Sequence, residues 1–589
     1  MTKLHVTYLI LFLPWLWVVS AICPNQCSCY LDHRGRTTVS CSQGGMTGSI
    51  PVLNFKNDTE VIIITAPENN MNLLTMGPVF DEFKNLEELH ITRSNIPEMG
   101  KYFFYSLRKL DVLNLSQNNI TQPLDYNFVG LNNLNKLILD DNRIESLASE
   151  TFRHLQKLTV LSIRRNRIQK LMPRVFYHLS KLKVLKLSGN RMRYLNAIVF
   201  KDIQQLQELE CRGCALLSIN AEVFQHLQQL VSLDFGSNEI ERIFANDFMH
   251  LTNLKKLKLD GNRLSAVSNG DFVYLTNLEK LNLARNANSK IEPNAFERLS
   301  ELRVLDIGYN RLDELDSNML RDLSDQLETL VLSGNGLSIF FVITLRNSTV
   351  LKELHLADMG ITDIPPAVLP PNLEELDLSG NYLFYFQPGA IPSNLSVLDI
   401  SRNRFRGLNE DVLVQISQVP VLKLKDNPWL CDMCHIIPLL QRVNISEDIR
   451  NVQCFGPRSH EGRILGTILQ NELEWCSAPG YTTSDTSGYF LQDTRIGIIA
   501  ATASVLLLIL TGTAIIVALC YSKRHAAKYY THEEKRAAES ESIFDNQMSF
   551  LGDDKEISFK FPVDYGEKKV AIATIDDEIK KDKMITNGL

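Results

Sequence analysis

Apolar residues return at a constant spacing through the middle of the chain. The segments that start at Leu158, Leu182 and Leu254 read LTVLSIRRNRI, LKVLKLSGNRM and LKKLKLDGNRL, and all three fit the template LxxLxLxxNxL. Because side chains alternate across a strand, the leucines of LxxLxL point to one side and the residues between them point to the other. One such unit cannot bury its own apolar side. The pattern therefore predicts stacked coils, with their strands in one long parallel sheet over a continuous core.

The spacing identifies the first residue of every coil. It is 24 residues for nine consecutive steps and 22 to 25 residues afterwards. The first residues are Leu86, Leu110, Leu134, Leu158, Leu182, Leu206, Leu230, Leu254, Leu278, Leu302, Leu327, Leu351, Leu373, Leu395 and Val419. A degenerate coil is expected before them, with Val61, Ile64, Ala66 and Asn69 in the template columns.

Two further columns share the period. An Asn follows each strand, where its amide is expected to satisfy backbone groups that stacking removes from water. This column comprises Asn118, Asn142, Asn166, Asn190, Asn238, Asn262, Asn286, Asn310, Asn335, Asn381, Asn403 and Asn427. A Phe column is expected to form an aromatic spine on the far side of the coils. It comprises Phe80, Phe104, Phe128, Phe152, Phe176, Phe200, Phe224, Phe248, Phe272 and Phe296.

This template is the signature of leucine-rich repeats. The repeat length of 24 residues and the Phe column resemble those of animal extracellular leucine-rich-repeat proteins, over about 400 residues of this chain. The resemblance implies an α/β repeat solenoid, a curved horseshoe with a parallel sheet on its concave face. About 16 repeats are expected within residues 56–429.

Eight of the 11 Cys residues form two groups of four that bracket the repeats. Even-numbered groups of this kind predict disulfides and an oxidising compartment. The first group lies in residues 22–55 and resembles the N-terminal cysteine cap of extracellular leucine-rich-repeat proteins. That resemblance implies the pairs Cys23–Cys29 and Cys27–Cys41. A zinc site is the alternative interpretation of these four residues.

The second group lies in residues 430–476 and resembles the C-terminal cap of the same proteins. The resemblance implies the pairs Cys431–Cys454 and Cys434–Cys476, although CDMC here is one residue longer than the usual CxC. Two more cysteines, Cys211 and Cys214, stand in a leucine column and in the Asn column. A CxxC suggests redox chemistry or a metal, but both columns point into the core, which favours a buried structural role.

The ends of the chain predict a single-pass membrane protein of the plasma membrane. Residues 1–21 have the pattern of a secretory signal peptide, with an apolar run too short to span a bilayer. A flexible stalk over 477–495 precedes the uncharged segment 496–520, which is long enough to cross a bilayer. Basic residues follow this segment, so the N terminus is expected outside and residues 521–589 form a cytoplasmic tail, expected to be disordered. Cys520 is a candidate for palmitoylation or a plain helix residue.

The N-x-S/T sequons support the same orientation, since all of them precede the membrane segment. They are expected to carry glycans at Asn57, Asn114, Asn119, Asn347, Asn394 and Asn444. Asn114 falls in an outward column of its strand. A glycan there is expected to block the N-terminal coils of the concave face and to displace binding toward later coils.

Nothing in the sequence predicts catalysis or a cofactor, and beyond the two cysteine alternatives above no metal site is indicated. The common nucleophile, phosphate-loop and zinc-protease motifs are absent, and the net charge of -7 gives no argument for a nucleic-acid partner. Function is therefore assigned to the repeats. Outward charges predict a basic stretch on the middle coils, at Lys136, Arg164, Lys183, Lys186 and Arg212. Acidic residues follow on the later coils, at Asp306, Glu374, Glu375, Asp377 and Asp399.

Such a graded face would steer an oppositely charged partner. The other interpretation, which the sequence favours over any particular patch, is that solvated strand positions are simply charged. The whole chain is similar to leucine-rich adhesion receptors of the capricious and tartan kind, which implies recognition of an extracellular or cell-surface protein, with homophilic contact as one form. The alternatives are an immune or growth-factor co-receptor that signals through a partner, and a heparin-like glycan ligand for the basic coils.

Overall fold

A computed structural model describes most of residues 23–476. The described residues are 23–52, 55–77, 79–316, 319, 323, 325–338, 342, 344–346, 348–442 and 447–476. Within them, no helix has the length and apolar character needed to cross a membrane. The expected signal peptide, stalk, membrane segment and tail lie outside these residues, as do Cys520, Asn347 and Asn444.

The repeats form a parallel-sheet solenoid of about 16 turns. Its main sheet has 18 strands, of which the first pair is antiparallel and the others are parallel. These strands are β1 (Ser28–Leu31), β2 (Thr37–Cys41), β4 (Val61–Ile64), β6 (Glu88–Ile91), β7 (Val112–Asn114), β8 (Lys136–Ile138), β9 (Val160–Ser162), β10 (Val184–Lys186), β11 (Glu208–Glu210), β12 (Ser232–Asp234), β13 (Lys256–Lys258), β15 (Lys280–Asn282), β17 (Val304–Asp306), β18 (Thr329–Val331), β19 (Glu353–His355), β20 (Glu375–Asp377), β21 (Val397–Asp399) and β22 (Val421–Lys423). Two small parallel pairs stand apart, β3 (Thr47–Ser49) with β5 (Leu73–Thr75) and β14 (Ala266–Val267) with β16 (Lys290–Ile291).

The register of the strands follows the leucine columns. Leu209 lies opposite Leu233, and Leu233 lies opposite Leu257 in the next strand. All three side chains are fully buried. Matching identical template positions keeps every leucine on the core side, because a one-residue slip would turn the whole set toward water.

Each strand is short because a tight turn follows it. The eighth template position in this turn has a positive φ, as at Gly213 (64°) and Gly261 (66°). Glycine adopts this conformation without a steric penalty, and Arg165 tolerates it at 49°.

The Asn column behaves as predicted, and all twelve of its side chains are buried. Asn238 shows the arrangement in full. Its Oδ1 accepts hydrogen bonds from the backbone N–H groups of Cys214 (2.8 Å) and Leu216 (3.0 Å). Its Nδ2 donates to the carbonyl oxygens of Cys211 and Phe235, both at 2.8 Å. One amide thus satisfies backbone groups of two adjacent coils.

The side of the solenoid opposite the sheet contains mostly turns and short helices. The α-helices are α1 (Ala221–Phe224), α2 (Glu410–Ile416), α3 (Ile436–Arg442) and α4 (Glu447–Arg450). The 3-10 helices are Glu68–Asn70, Asp125–Phe128, Ala197–Phe200, Ala245–Phe248, Leu465–Thr467 and Gln470–Glu472. The predicted Phe column lies beneath this side, and all ten rings are buried. Phe248, Phe272 and Phe296 stack in succession, with ring centroids 5.9 and 6.2 Å apart.

The first coil differs from the prediction by two residues. Ile62 and Ile64 pair with Leu89 and Ile91 and are fully buried, so they occupy the columns assigned above to Ile64 and Ala66. Asn69 is exposed, and Asn72 takes the buried amide position by accepting from the N–H of Met46 at 3.0 Å. The prediction was wrong because a run of Val and three Ile has no polar residue to indicate which side chains face water.

Both caps form the predicted disulfides, Cys23–Cys29 and Cys27–Cys41 at one end and Cys431–Cys454 and Cys434–Cys476 at the other. The zinc interpretation of the first group is wrong, since no thiolate is left in it. Cys211 and Cys214 are fully buried, which confirms their position in the core. They also form a disulfide, with Cα atoms 5.6 Å apart, which the sequence analysis missed.

Candidate ligand-binding face

The solvent side of the main sheet is one continuous surface, which we call the strand face. It consists of the two outer residues of each three-residue strand together with the residue two places after the strand. In β13, for example, Lys256 and Lys258 are exposed while Leu257 between them is buried. Asp260 is the third member of the same coil. The strand face therefore presents rows of side chains from neighbouring coils to one partner.

The predicted basic stretch is dispersed and largely neutralised. Arg164 forms an ion pair with Glu210, two coils away. Lys186 lies 3.1 Å from a carboxylate oxygen of Glu208. Arg212 lies 3.0 Å from Asp260 Oδ1, and this hydrogen bond raises its pKa. These three cations are held within the protein and do not form a free basic surface.

Glu210 is the central carboxylate among these ion pairs. Burial by itself raises the pKa of its carboxyl group, but hydrogen bonds from Arg164 and Ser188 reverse the effect and hold the pKa below its usual value. Of the predicted set, Lys136 and Lys183 remain exposed. Lys136 lies on the strand face in β8, whereas Lys183 precedes β10 and lies at its edge.

A compact basic group instead lies on the next coils. It consists of Lys256, Lys258 and Lys280, all exposed, in the adjacent strands β13 and β15. Lys256 lies directly opposite Lys280 in the sheet register, and neither forms a salt bridge within the described part of the chain. Lys258 lies 3.4 Å from Asp234. This group was not predicted from the sequence, although all three residues occupy outward template positions.

The acidic residues of the later coils are on the strand face, although Asp399 is paired there with Lys423 at 3.3 Å. Asp306, Asp377 and Asp399 lie on β17, β20 and β21, and Glu375 starts β20. Glu374 precedes its strand and lies at the sheet edge. Burial, followed by the nearby charge of Asp260, raises the pKa of Asp306, whose Oδ1 accepts a hydrogen bond from the N–H of Gly308 at 3.1 Å. An additional cation beside Asp306 would therefore be favourable.

His355 and Asp377 form a charge pair within this acidic region. Their Nδ1 and Oδ2 atoms are 3.7 Å apart. The carboxylate of Asp377 raises the pKa of His355 above 6.5 despite burial, and the charges of Glu375 and Glu353 act in the same direction. The same pair lowers the pKa of Asp377, against the effect of burial.

We expect this pair to stabilise the coils below neutral pH. Because the folded-state pKa of His355 is raised, its contribution is complete below pH 6.5 and is lost as the pH rises through the folded-state value. Replacing His355 with Gln should therefore lower the free energy of unfolding by about 0.2–1 kcal/mol at pH 5.5, and by less at pH 8.5. Chemical unfolding of both proteins at the two pH values measures the difference. Asp377→Asn should abolish the pH dependence, and an equal effect of His355→Gln at both pH values would contradict the assignment.

The described sequons lie outside the middle coils. Asn114 is the last residue of β7, half-buried on the strand face, and its Oδ1 accepts a hydrogen bond from the N–H of Ser116. Asn119 follows the turn of the same coil, and Asn57 and Asn394 are exposed. Neither the basic group nor the acidic group described above has a described sequon on the strand face of its coils.

The repeated segment is similar to known proteins in sequence. The leucine rich repeat family model matches residues 84–144, 132–192, 156–216, 204–264, 276–337 and 371–428, which together span just over half of the chain. The platelet glycoprotein Ib beta chain of Mus musculus is 28% identical over 118 residues. That match covers 20% of this chain and 46% of the relative, so the chain spans about half the length of the curated relative it matches.

Solved structures resemble the solenoid. A leucine-rich repeat protein of Leptospira interrogans has a TM-score of 0.50 and 24% identity, covering 60% of this chain and 87% of its own. The Toll–Spatzle complex of Drosophila has a TM-score of 0.40 and 19% identity, covering 72% of this chain and 82% of that chain. The likeness to the bacterial protein shows the fold.

Proposed function

Because the chain belongs to the leucine-rich repeat family, we propose that it is a cell-surface recognition receptor that binds a protein ligand through its strand face. The role is adhesion, as in receptors of the capricious and tartan kind. The receptor is anchored in the plasma membrane by one segment at 496–520, with the solenoid outside the cell. The four cap disulfides support the extracellular setting, since such bonds persist in oxidising compartments.

The observation that carries the proposal is the charge pattern of the strand face. Lys256, Lys258 and Lys280 lie on β13 and β15, Asp306 lies on the adjacent strand β17, and Asp377 follows three strands later on β20. Like charges opposite each other in a sheet are destabilising. Lys256 and Lys280 face each other in this way, and an anionic group bound between them would remove their repulsion. A pair of cations without carboxylate partners is more typical of a binding surface than of a network of ion pairs that stabilises the fold.

The same pattern favours a protein over a heparin-like glycan. Asp234 lies 3.4 Å from Lys258 on one side, and on the other side Asp306 lies on β17, the strand that pairs with the strand of Lys280. A long polyanion would meet these carboxylates wherever it crossed the lysines. A protein surface with an acidic group next to a basic group would complement both regions, and such complementarity increases the association rate and the specificity.

We expect reversal of the basic group to weaken ligand binding. The ligand is found by screening a tagged ectodomain against cell-surface proteins, the ectodomain itself included. Lys256→Glu with Lys280→Glu should then raise the Kd at least about tenfold, because like charges face each other across the interface. Lys201→Glu with Lys290→Glu is the matched control, since both residues are exposed but lie off the strand face. Equal affinity of the two double variants would rule out the strand face of these coils.

The screen also separates the adhesion role from that of a co-receptor. Recovery of a soluble ligand together with a signalling receptor, without aggregation of cells that display the chain, would support the co-receptor. Recovery of a membrane-bound protein on a facing cell would support adhesion.

We expect a glycan at Asn114 to restrict binding to the middle and later coils. Asn114→Gln and Ser116→Ala each remove the sequon, so both should lose the mass of one glycan in mass spectrometry of the secreted ectodomain. Ser116→Ala keeps the native Asn and is the control for effects of the substitution itself. An unchanged glycan mass in both variants would show that Asn114 is unmodified.

A further inference from the structure

We propose that one flank of the solenoid binds a second copy of this chain, with the two solenoids antiparallel. The flank consists of the residues that follow the buried Asn position in four consecutive coils, which start at Leu158, Leu182, Leu206 and Leu230. This proposal deepens the proposed function and rests on it for the extracellular setting. It concerns a different surface from the strand face.

The flank exposes an unusual amount of apolar surface. Tyr194 is 65% exposed, Ile198 58%, Leu217 53% and Phe244 59%. Met172 adjoins them on the first of the four coils and is also exposed. Scattered apolar residues are normal on a protein surface, but a contiguous group on adjacent coils is typical of an interaction site.

The flank also contains a cleft. It lies between the coils that start at Leu158 and Leu182, and its lining, which includes Met172 and Tyr194, is apolar except for Lys170 and Asn196. Phe244 projects from the flank two coils further along. The surface thus offers an apolar projection and an apolar recess at two separate places, as a self-complementary surface requires.

A two-fold axis brings the projection and the recess together. The axis passes through Leu217 and runs along the coil that contains this residue. Each coil that precedes this central coil then faces, on the other copy, the coil that follows the central coil by the same number of coils. The fifteenth residue of the coil from Leu230 is Phe244, and the fifteenth of the coil from Leu182 is Asn196, at the cleft. Phe244 of each copy therefore enters the cleft of the other, while Leu217 meets its own equivalent on the axis.

One pair of opposite charges on the flank obeys the same symmetry. Arg193 and Glu241 are the twelfth residues of the coils from Leu182 and Leu230, so the axis places them opposite each other twice. Both are exposed, and neither forms a salt bridge with another residue that the structure describes. Tyr194 and Arg242, the thirteenth residues, also face each other, which permits a cation–π contact. This charge complementarity identifies a second copy as the occupant.

The position of the sequons is compatible with this contact. The sequence has no N-x-S/T between Asn119 and Asn347, so the four coils are free of N-linked glycans. In an antiparallel pair the C-terminal caps lie at opposite ends. Because the expected membrane segment follows that cap in the sequence, the arrangement suits chains on two facing cells.

Charge exchange tests the proposal on full-length chains displayed by suspended cells. Cells with the native chain should aggregate with each other and not with untransfected cells. Arg193→Glu should lower this aggregation at least about tenfold, and so should Glu241→Arg, because each change creates two like-charge contacts per pair. Mixing the two variant populations should restore aggregation between them, since the carboxylate introduced at position 193 of one variant then faces the guanidinium introduced at position 241 of the other. Lys181→Glu is the control, because this exposed residue immediately precedes Leu182 and is not among the residues that the axis brings into contact; this variant should aggregate as the native chain does.

One further variant tests the apolar contact of the proposed pair. Phe244→Asp should abolish aggregation with unchanged display at the cell surface, because the side chain is exposed and its replacement leaves the core intact. Absence of aggregation by the native chain, native-like aggregation by both single variants, or no rescue on mixing would overturn the proposal. These results test only the contact between two copies, whereas binding of the ligand through the strand face is tested separately by Lys256→Glu with Lys280→Glu. Absence of aggregation by the native chain would also count against the homophilic form of the adhesion role.

Discussion

Replacing Asn238 with alanine is expected to lower the free energy of unfolding of its coils by roughly 3–5 kcal/mol, because several buried backbone groups lose their partners at once. The N–H groups of Cys214 and Leu216 lose an acceptor, and the carbonyl oxygens of Cys211 and Phe235 lose a donor. Each buried group left unsatisfied costs about 1–3 kcal/mol, and partial relaxation reduces the total.

Hydrogen exchange of the backbone amides measures this loss of stability in the affected coils. Coils of a solenoid contact only their neighbours, so protection should fall at Cys214 and Leu216 and much less in distant coils. Asn253→Ala is the matched control. Asn253 is exposed and donates one hydrogen bond, to the carbonyl oxygen of Gln228 at 3.0 Å, so its replacement should cost less than about 1 kcal/mol. Similar exchange rates in the two variants would contradict the role of the Asn column.

The second large effect is expected at the C-terminal cap. Replacing Cys431 and Cys454 together with alanine should destabilise the protein by about 3–5 kcal/mol and reduce its secretion. Both residues are buried, and Cys431 belongs to the core that continues from Trp429. Their loss therefore removes the crosslink and also leaves a packing defect at the end of the solenoid.

The other disulfide of the cap is the control. Cys434 and Cys476 are 42 residues apart, against 23 for Cys431 and Cys454. On chain entropy alone the longer loop would stabilise by about 0.5 kcal/mol more. Cys434 is exposed, however, so we expect the packing contribution to decide and Cys434→Ala with Cys476→Ala to be milder. Thermal unfolding of the secreted variants compares them, and a larger effect at Cys434 and Cys476 would show that loop length dominates.

The candidate binding face illustrates how far a periodic pattern can be extended. The template placed Lys186 and Arg212 on the outward side, which is correct. It did not show that Lys186 lies beside Glu208 or that Arg212 reaches Asp260, 48 residues further along the chain. Position in the template reports the direction of a side chain, whereas free charge depends on its neighbours in the adjacent coils.

The amino-acid sequence by itself determined the solenoid, its strand register, the buried Leu, Asn and Phe columns, and, through resemblance, the four disulfides of the caps. These properties repeat with the coil, so each copy of the pattern supports the others. Only the tertiary structure decided which cations are neutralised, where the first coil begins, and that Cys211 bonds to Cys214. The same holds for the cleft beside Met172 and Tyr194. Each of these depends on the reach of individual side chains between coils, for which a repeating pattern contains no information.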